Sequence, residues 1–250
     1  HNYSGYPVVR EMRKLVQKGE LGKIRIVKGA YLQGWLGSKE EATGSNKQAE
    51  WRTDPTRSGA AGAVGDIGSH TMHLIEFITG LKLQSVAADL TIFVEDRKLD
   101  DDASILIRMN DGVKGSLSIS QIATGEENNF SISIYGDKGA LHWRQENPNY
   151  ATLSKVDKPN QIITRGGPIQ QDGSLANLRI PSGHPEGFLE AFAQIYTDAA
   201  DVIQGSSNAK EIQKILPNEN DGLHIMRFIN ASVNSSSNNS SWVDLITTTY

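Results

Sequence analysis

The spacing of apolar residues predicts two helices in the first third of the chain. One runs from about 7 to 18 and the other from Gly62 to Gly80, each with apolar side chains on one helical face. The core-facing stripe predicted for the second helix consists of Ile67, Thr71, Leu74 and Ile78. Between the helices, alternation predicts a strand over 23–32. The polar, Gly-rich stretch 34–60 is predicted to be a long loop, and loops of that length are usually functional or disordered.

From Leu83 to about Thr164 the hydrophobic pattern changes to a period of two, which predicts strands. Five strands are expected, at 84–94, 103–109, 115–121, 130–135 and 139–144. Turn residues at 110–112 and 136–139 favour hairpins, so the strands on either side of each turn should be antiparallel. The order of these elements predicts an α+β fold, with an open, mostly antiparallel β-sheet and helices packed on one face.

Two more helices are predicted near the end of the chain, at 186–203 and at about 219–233. The inward face expected for the first of them consists of Phe188, Ala191, Phe192, Ile195 and Ala199. Serine and asparagine fill nine of the ten positions from 232 to 241, which favours a flexible segment. The Trp-Val-Asp-Leu run that follows, 242–245, could dock as a short terminal strand.

Composition excludes several classes of protein. The 250 residues include 25 basic and 29 acidic side chains, a formal charge of -4 without a basic cluster, so nucleic acid is not an expected partner. No cysteine is present, which excludes disulfides, zinc–thiolate sites and thiol nucleophiles. Neither a membrane-spanning apolar run nor the apolar core of a signal peptide is visible, so the expected location is cytoplasmic, without membrane partners.

Asp66 and His70 are candidates for chemistry because they are four residues apart on a predicted helix and share one face. A carboxylate beside an imidazole orients the ring and favours its protonated form, as a general base acting on a hydroxyl requires. Spacing alone also allows a structural interpretation, in which an acid near a helix N-terminus caps a histidine. Asp66, His70 and His73 together could form a metal site, although no HExxH pattern accompanies them.

The glycines around Asp66 do not form a nucleotide-binding loop. Their spacing is not G-x-G-x-x-G, they follow a polar segment instead of a strand, and no G-K-[ST] occurs, so no cofactor-binding residues are expected in this chain. The aromatic candidates for stacking on a sugar ring are Tyr31, Trp35, Trp51 and Trp143, all of which could instead pack in the core or its rim. Arg52 and His184 could reach a cleft, or could be ordinary solvated and turn residues.

Four stretches of sequence are more specific than spacing. They are the opening HNYSGYPVVREMRKLVQKGELGKI, the loop YLQGWL…KQAEWRTDP, the core GAVGDIGSHTMHL and the helix HPEGFLEAFAQIY. With the ending SSSNNSSWVDL they span nearly the whole chain, and together they resemble the glucose-fructose oxidoreductase, inositol dehydrogenase and MocA family of NAD(P)-dependent oxidoreductases. The resemblance implies that Asp66 and His70 form the family's Asp-x-x-x-His pair, with His70 at the proton-transfer position. It places Tyr31, Trp51, Arg52 and His184 on the substrate side.

Members of that family carry an N-terminal Rossmann domain followed by an α+β domain whose open sheet often packs on another subunit. This chain resembles the second part only, and it starts with His1 instead of Met, so an upstream segment is expected. The family's dinucleotide loop and the catalytic Lys of its E-K-P segment would lie in that segment. Residues 1–250 are therefore expected to form a single substrate and oligomerisation domain, lacking the Rossmann domain and assembling through its sheet face into a homodimer or homotetramer.

The resemblance implies that the full-length protein uses NAD or NADP to oxidise a secondary hydroxyl of a sugar, cyclitol or related polyol. His70, oriented by Asp66, would take the hydroxyl proton while hydride passes to the nicotinamide. The 250-residue chain alone is expected to be inactive and to bind no cofactor. Two alternatives remain open: a non-catalytic sugar-binding or assembly module of the same fold, and a metal-dependent enzyme built on Asp66, His70 and His73.

Overall fold

One open β-sheet forms the centre of the computed structural model, which describes residues 1–168 and 178–245. Its strands are β1 (Ile24–Leu32), β2 (Leu83–Thr91), β3 (Asp102–Met109), β4 (Lys114–Ser120), β5 (Asn129–Gly136), β6 (Gly139–Arg144), β7 (Tyr150–Lys155), β8 (Lys158–Thr164) and β9 (Val243–Asp244). Within the described residues these nine strands are ordered β8-β7-β6-β5-β1-β4-β3-β2-β9. The five predicted strands correspond to β2–β6, and β7 and β8 complete the region of period two.

Strand directions confirm both predicted hairpins. β3 and β4 are antiparallel around 110–112, and β5 and β6 are antiparallel around 137–138. β1 and β4 pair in parallel, while the other neighbouring pairs in the described part of the chain are antiparallel. The two residues of β9 pair with β2, so the expected terminal strand is present.

Helices cover one face of the sheet. The α-helices are α1 (Pro7–Gln17), α2 (Lys47–Arg52), α3 (Pro55–Ser58), α4 (Ser69–Thr79), α5 (Phe188–Gln204), α6 (Ala209–Gln213) and α7 (Glu219–Ser237). α4 packs on β1 and β5, α7 packs on β2, and α1 packs on α4. The predicted α+β class with an open, mostly antiparallel sheet is therefore confirmed. None of the helices in the described ranges combines the length and apolar composition that crossing a bilayer requires.

A π-helical turn, Val64–Gly68, leads directly into α4. The predicted apolar stripe is buried along both, from Ile67 to Ile78, and the hydroxyl of Thr71 donates to Ile67 O at 3.1 Å. The helix ends at Gly80, whose φ of 73° is left-handed and therefore favours glycine. The predicted helix from 62 to 80 is confirmed, with a wider first turn that its periodicity did not indicate.

The two faces of the sheet differ in composition. The helix-facing side buries apolar side chains such as Val27 and Ile105, whereas the opposite side exposes Ile26 by 46% and Leu106 by 56%. The open face also carries a group of serines on β4 and β5, namely Ser116, Ser118, Ser131 and Ser133. This face mixes exposed apolar and hydroxyl side chains and has no covering layer among the described residues.

The prediction of one continuous loop over 34–60 was wrong. This stretch contains a 3-10 turn at Glu40–Thr43 and the short helices α2 and α3. Asn46 caps α2, because its side chain accepts from Ala49 N at 3.1 Å, and Asp54 caps α3 in the same way. Side-chain capping gives polar segments this short local order that apolar periodicity does not reveal.

The predicted inward face of α5 was right for Ala191 and wrong for Phe188 and Phe192. Ala191, Gln194 and Asp198 are the buried residues of this helix, while Phe188 is 44% exposed and Phe192 is 39% exposed. Asp198 is buried because Arg10 of α1 forms an ion pair with it and Gln194 Nε2 donates to its Oδ1 at 2.7 Å. An ionic partner far away in the sequence thus rotates the helix and leaves the two phenylalanines at its exposed edge.

The Ser/Asn-rich stretch 232–241 is ordered, contrary to the prediction. α7 continues to Ser237, and Ser232 and Ser235 are fully buried. The hydroxyl of Ser235 accepts from Ala88 N at 2.8 Å and donates to Ser241 O at 2.6 Å. These short hydroxyls satisfy backbone groups near the edge of the sheet, where β2 pairs with only two residues of β9.

Candidate active site

The parallel pairing of β1 with β4 brings the C-terminal ends of both strands to the same edge of the sheet. The segments that leave these strands stay side by side: Gln33 N donates to Ser120 O at 2.8 Å, and Leu36 N donates to Gln121 O at 3.0 Å. The π-helical turn before α4 packs against β4. This edge therefore gathers side chains from three distant parts of the sequence.

A cleft of about 500 Å³ opens at this edge. Its lining residues are Asn2, Tyr3, Tyr31, Gln33, Trp35, Asn46, Gln48, Arg52, Asp66, Ile67, His70, Phe188 and Phe192. Tyr31, Arg52, Asp66 and His70 are four of the residues that the sequence analysis proposed for the site. The structure brings these four together in one cleft.

Asp66 lies in the π-helical turn and is held through one of its carboxylate oxygens. Oδ2 accepts from Arg52 Nε at 2.9 Å and from Gln121 Nε2 at 2.8 Å. The side chains of Arg52 and Asp66 remain 23% and 26% exposed, respectively. The carboxylate is therefore fixed in orientation while part of it still faces the solvent-filled cleft.

Arg52 is held between two indole rings. Its guanidinium carbon lies 4.3 Å from the ring centroid of Trp51 and 5.9 Å from that of Trp35. Trp51 Nε1 donates to Gln48 Oε1 at 3.2 Å, so this side chain supports Arg52 and does not line the cleft. Trp35, which does line it, is the indole with access to a ligand.

His70 presents a neutral imidazole to the cleft. Burial lowers the pKa of His70 from 6.5 to about 4, so the ring carries no charge near neutral pH. Its Nδ1 lies 3.2 Å from Nδ1 of His1, and no described residue forms a hydrogen bond with its Nε2. When Nδ1 of His70 donates to His1, Nε2 is an unprotonated acceptor available to a ligand.

Asp66 and His70 share the cleft without a hydrogen bond between them. Within the described residues, Asp66 is bound by Arg52 and Gln121, and His70 by His1. The resemblance implied that Asp66 orients the imidazole of His70 directly. In this structure the carboxylate does not do so. The two groups are instead placed so that both can contact one ligand.

Two tyrosines form a buried hydroxyl pair in the wall of the cleft. The hydroxyl oxygens of Tyr3 and Tyr31 are 2.5 Å apart, and Phe130 stacks on the Tyr31 ring at a centroid distance of 4.6 Å. Burial raises the pKa of both phenols, which keeps them neutral. Tyr31 thus contributes a hydroxyl that is already engaged by Tyr3, a residue the sequence analysis did not propose.

His184 does not line this cleft. It lies in a separate depression with Tyr150 and Glu186, and its carbonyl accepts from Arg165 Nε at 3.1 Å. Arg165 and Glu186 form a buried ion pair at 3.0 Å, which fixes the segment that leads into α5. Through α5 this segment positions Phe188, which does line the cleft.

Several lining residues gave little signal in the sequence. Phe188 and Phe192 were assigned to the core by periodicity, because their helix was expected to face inward with its apolar side. Gln121 is not among these lining residues but donates to Asp66. It had no motif, and only its position at the end of the predicted strand 115–121 could have indicated it. Asn2 and Tyr3 lie in the opening stretch that carried the family resemblance, but nothing in their spacing pointed to the cleft.

The structure does not support the metal-site alternative. His73 turns away from the cleft, and its ring stacks on that of His1 at a centroid distance of 4.3 Å. Across residues 1–168 and 178–245, no group of three metal-ligating side chains is arranged to hold an ion.

Comparisons with known proteins agree with this fold. The model of the GFO/IDH/MocA C-terminal domain matches residues 9–142. YfiI, an uncharacterized oxidoreductase of Bacillus subtilis, is 30% identical over 251 residues, covering 98% of this chain and 63% of YfiI. An oxidoreductase structure from Sinorhizobium meliloti is 39% identical with a TM-score of 0.83, covering 97% of this chain and 63% of that one.

An inositol dehydrogenase homologue from Azotobacter vinelandii, solved with NADH and myo-inositol, is 26% identical with a TM-score of 0.82. That match covers 97% of this chain and 62% of the Azotobacter chain, so the chain spans less than two thirds of the length of each of these relatives. More than half of the chain matches the family model. The chain therefore belongs to the GFO/IDH/MocA family of oxidoreductases.

Proposed function

We propose that this chain is the substrate-binding and catalytic part of an NAD(P)-dependent dehydrogenase that oxidises a secondary hydroxyl of a sugar, cyclitol or related polyol. The observation that carries the proposal is a neutral imidazole, His70, in one cleft with a carboxylate, Asp66, whose orientation is fixed. A family relative has been solved with NADH and myo-inositol, which supports the same class of reaction.

The charge of the cleft favours an uncharged polyol. Among the described residues that line the cleft, Asp66 and Arg52 are the charged pair and they neutralise each other, while His70 is neutral. Amides at Gln33 and Gln48 can exchange hydrogen bonds with hydroxyl groups. The aromatic lining residues, Tyr3, Trp35, Phe188 and Phe192, offer apolar surfaces to the C–H faces of a ring. A phosphate or carboxylate on the substrate would find no unpaired cation among the lining residues that the structure describes.

In the proposed mechanism, the substrate hydroxyl donates a hydrogen bond to Nε2 of His70. The imidazole accepts the hydroxyl proton as the alcohol is oxidised, and a bound nicotinamide cofactor would accept the hydride from the same carbon. Protonation places a positive charge on a buried ring, and the nearby carboxylate of Asp66 stabilises that charge. Trp35 and the two phenylalanines restrict water around the reacting hydroxyl.

The residues of the cleft do not fit the phosphates of a dinucleotide. Within residues 1–168 and 178–245, Arg52 is the one cationic residue that lines the cleft and it is paired with Asp66, and the sequence has no G-x-G-x-x-G loop. The cofactor would accordingly be held by a part of the whole protein outside these 250 residues. We expect no turnover by the 250-residue chain alone, and tight NAD⁺ binding or hydride transfer by it would contradict this.

The open face of the sheet is the proposed contact between subunits. Ile26, Leu106 and Ile162 are 46%, 56% and 60% exposed there, beside serines that can pair across a symmetric interface. A homodimer or homotetramer formed through this face would cover them. Light scattering should give the mass of such an oligomer. If the Leu106→Lys variant is a monomer by the same measurement, the open face is the contact between subunits.

The test of the proposed function uses the intact protein with NAD⁺ or NADP⁺. We expect oxidation of myo-inositol or glucose, weaker or no oxidation of glucose 6-phosphate, and a loss of about 10²- to 10⁴-fold in kcat for His70→Asn. The matched control is His224→Asn, because His224 binds Glu76 away from the cleft. Binding of a polyol without reduction of either cofactor would favour the non-catalytic module, and full activity of His70→Asn would contradict the proposed role.

A further inference from the structure

Gln121 is a buried polar residue whose side chain donates a hydrogen bond to Asp66. It follows β4 directly and is 2% exposed. Its N–H donates to Asp101 O at 2.9 Å, and its carbonyl accepts from Leu36 N at 3.0 Å. Asp101 is itself buried in an ion pair with Arg97 at 3.1 Å. The backbone of Gln121 is therefore fixed from both sides, and its side chain starts from a rigid position.

The hydrogen bonds around Asp66 are asymmetric. Gln121 Nε2 and Arg52 Nε both donate to Oδ2, at 2.8 and 2.9 Å. Oδ1 receives no hydrogen bond from any residue that the structure describes. Because a carboxylate can accept on both oxygens, Oδ1 is the one left for a ligand in the cleft.

We propose that Gln121 is a positioning residue: with Arg52 it holds Asp66 by Oδ2, so that Oδ1 can accept a hydrogen bond from a substrate hydroxyl beside the one that His70 deprotonates. The inference rests on the proposed function. It assigns the substrate two neighbouring hydroxyl groups, one bound to Oδ1 of Asp66 and the other to Nε2 of His70. A vicinal diol within a polyol or cyclitol satisfies both contacts.

The chemistry of an amide suits this position. Gln121 donates a hydrogen bond without adding charge, whereas a second cation would oppose the positive charge that forms on His70 during the reaction. Arg52 is partly exposed and belongs to a surface segment, so it alone would leave the carboxylate free to rotate about the shared bond. The buried amide supplies the second donor that removes this freedom.

The test compares Gln121→Met with Gln194→Met in the intact protein. Methionine keeps the volume of the side chain and removes the donor. Gln194 is a matched control because its buried amide also donates to an aspartate, Asp198, at 2.7 Å, outside the cleft. We expect Gln121→Met to lower kcat for myo-inositol by about 10- to 100-fold with a smaller change in KM, while Gln194→Met lowers the melting temperature and leaves kcat unchanged.

A pH profile separates positioning from a purely structural role. In Gln121→Glu a second carboxylate would face Asp66, which raises the pKa of the introduced group. Once protonated, the introduced carboxyl can donate to Oδ2 as the amide does. We expect the activity of Gln121→Glu relative to Gln121→Met to rise when the pH is lowered from 8 to 5.5.

A spectroscopic signal tests the contact without relying on activity. The side-chain NH₂ resonances of Gln121, assigned by their loss in Gln121→Met, should shift in Asp66→Asn. Unchanged resonances would overturn the contact, and a Gln121→Met protein as active as Gln194→Met would overturn the positioning role alone. A wild-type protein that oxidises neither myo-inositol nor glucose would contradict the proposed function and this inference with it.

Discussion

Two clusters in this molecule use the same three side-chain types in different ways. Arg10, Asp198 and Gln194 lie between α1 and α5, where the charged pair is 4% and 2% exposed. In this cluster Arg10 takes Oδ2 of the aspartate and Gln194 takes Oδ1. Both oxygens of the carboxylate are therefore satisfied inside the protein.

The second cluster, Arg52, Asp66 and Gln121, lies at the cleft. Both donors bind Oδ2, and the charged pair is 23% and 26% exposed. The difference shows that neither residue type nor pairing identifies a functional carboxylate. What distinguishes the cleft cluster is that its donors leave one oxygen available while fixing the direction in which it points.

The largest expected effects come from neutralising the two aspartates. Asp198→Asn removes the buried negative charge that is paired with Arg10, which should lower the free energy of unfolding by about 3–5 kcal/mol with kcat unchanged. Asp66→Asn should lower kcat by about 10²-fold or more and cost much less stability, because its partner Arg52 can reach water. Denaturant unfolding and steady-state rates on both variants measure the contrast.

Equal stability losses for the two variants, or equal losses of kcat, would contradict the distinction between a closed and an open cluster. Asp198→Leu serves as a check on packing, since it fills the same space without a hydrogen-bonding group. We expect it to be at least as destabilising as Asp198→Asn.

Acid should destabilise the protein through two histidines, His70 in the cleft and His73 outside it. Burial lowers the pKa of His70 to about 4 and that of His73 to about 3, below the value of 6.5 for an exposed histidine. Between these values the unfolded chain binds more protons than the folded one, so stability is full above pH 6.5 and falls as the pH drops towards 4. The loss should be about 3 kcal/mol for His70, and His70→Asn should flatten this dependence in denaturant titrations. An unchanged slope in the variant would show that other groups cause the acid sensitivity.

Salt provides the smallest of these effects. A double-mutant cycle on Arg52 and Asp66 should give a coupling energy of about 1 kcal/mol or less that declines as salt is raised from 0.05 to 0.5 M. The cycle on Arg10 and Asp198 should give a larger coupling with little salt dependence, because ions do not reach that pair. If both coupling energies depend on salt in the same way, the two ion pairs do not differ in their access to solvent ions, which would contradict this prediction.

Local patterns predicted much of the fold because their causes are local. The stripe on α4 and the turns at 110–112 and 136–139 depend on residues close in sequence. The orientation of α5 could not be predicted, because it depends on an ion pair between Asp198 and Arg10, 188 positions apart. The ordered structure of 232–241 likewise depends on distant residues: Ala88 N of β2 donates to the hydroxyl of Ser235, and the hydroxyl of Ser236 donates to Leu90 O.

The candidate site was predicted most directly where motif and resemblance coincided, while Tyr31 and Arg52 were placed on the substrate side by the resemblance alone. Asp66 and His70 are close in sequence and carry the Asp-x-x-x-His spacing, and the structure places both in the cleft. Gln121 could not be predicted, because it reaches Asp66 through the packing of the π-helical turn on β4, a long-range contact that no local pattern encodes. Arg52 was expected to contact the substrate. Its guanidinium instead contacts Asp66, Gln48 and two indole rings.

The π-helical turn that carries Asp66 makes the length of this segment as important as its composition. Asp66 lies within the wide turn and His70 lies in the α-helix that follows it. Deleting a single residue such as Gly68 would convert the turn to regular helix and rotate Asp66 relative to His70 by about 100°. Insertions and deletions between 64 and 69 should therefore be lost under selection for activity, even where the helix tolerates substitution.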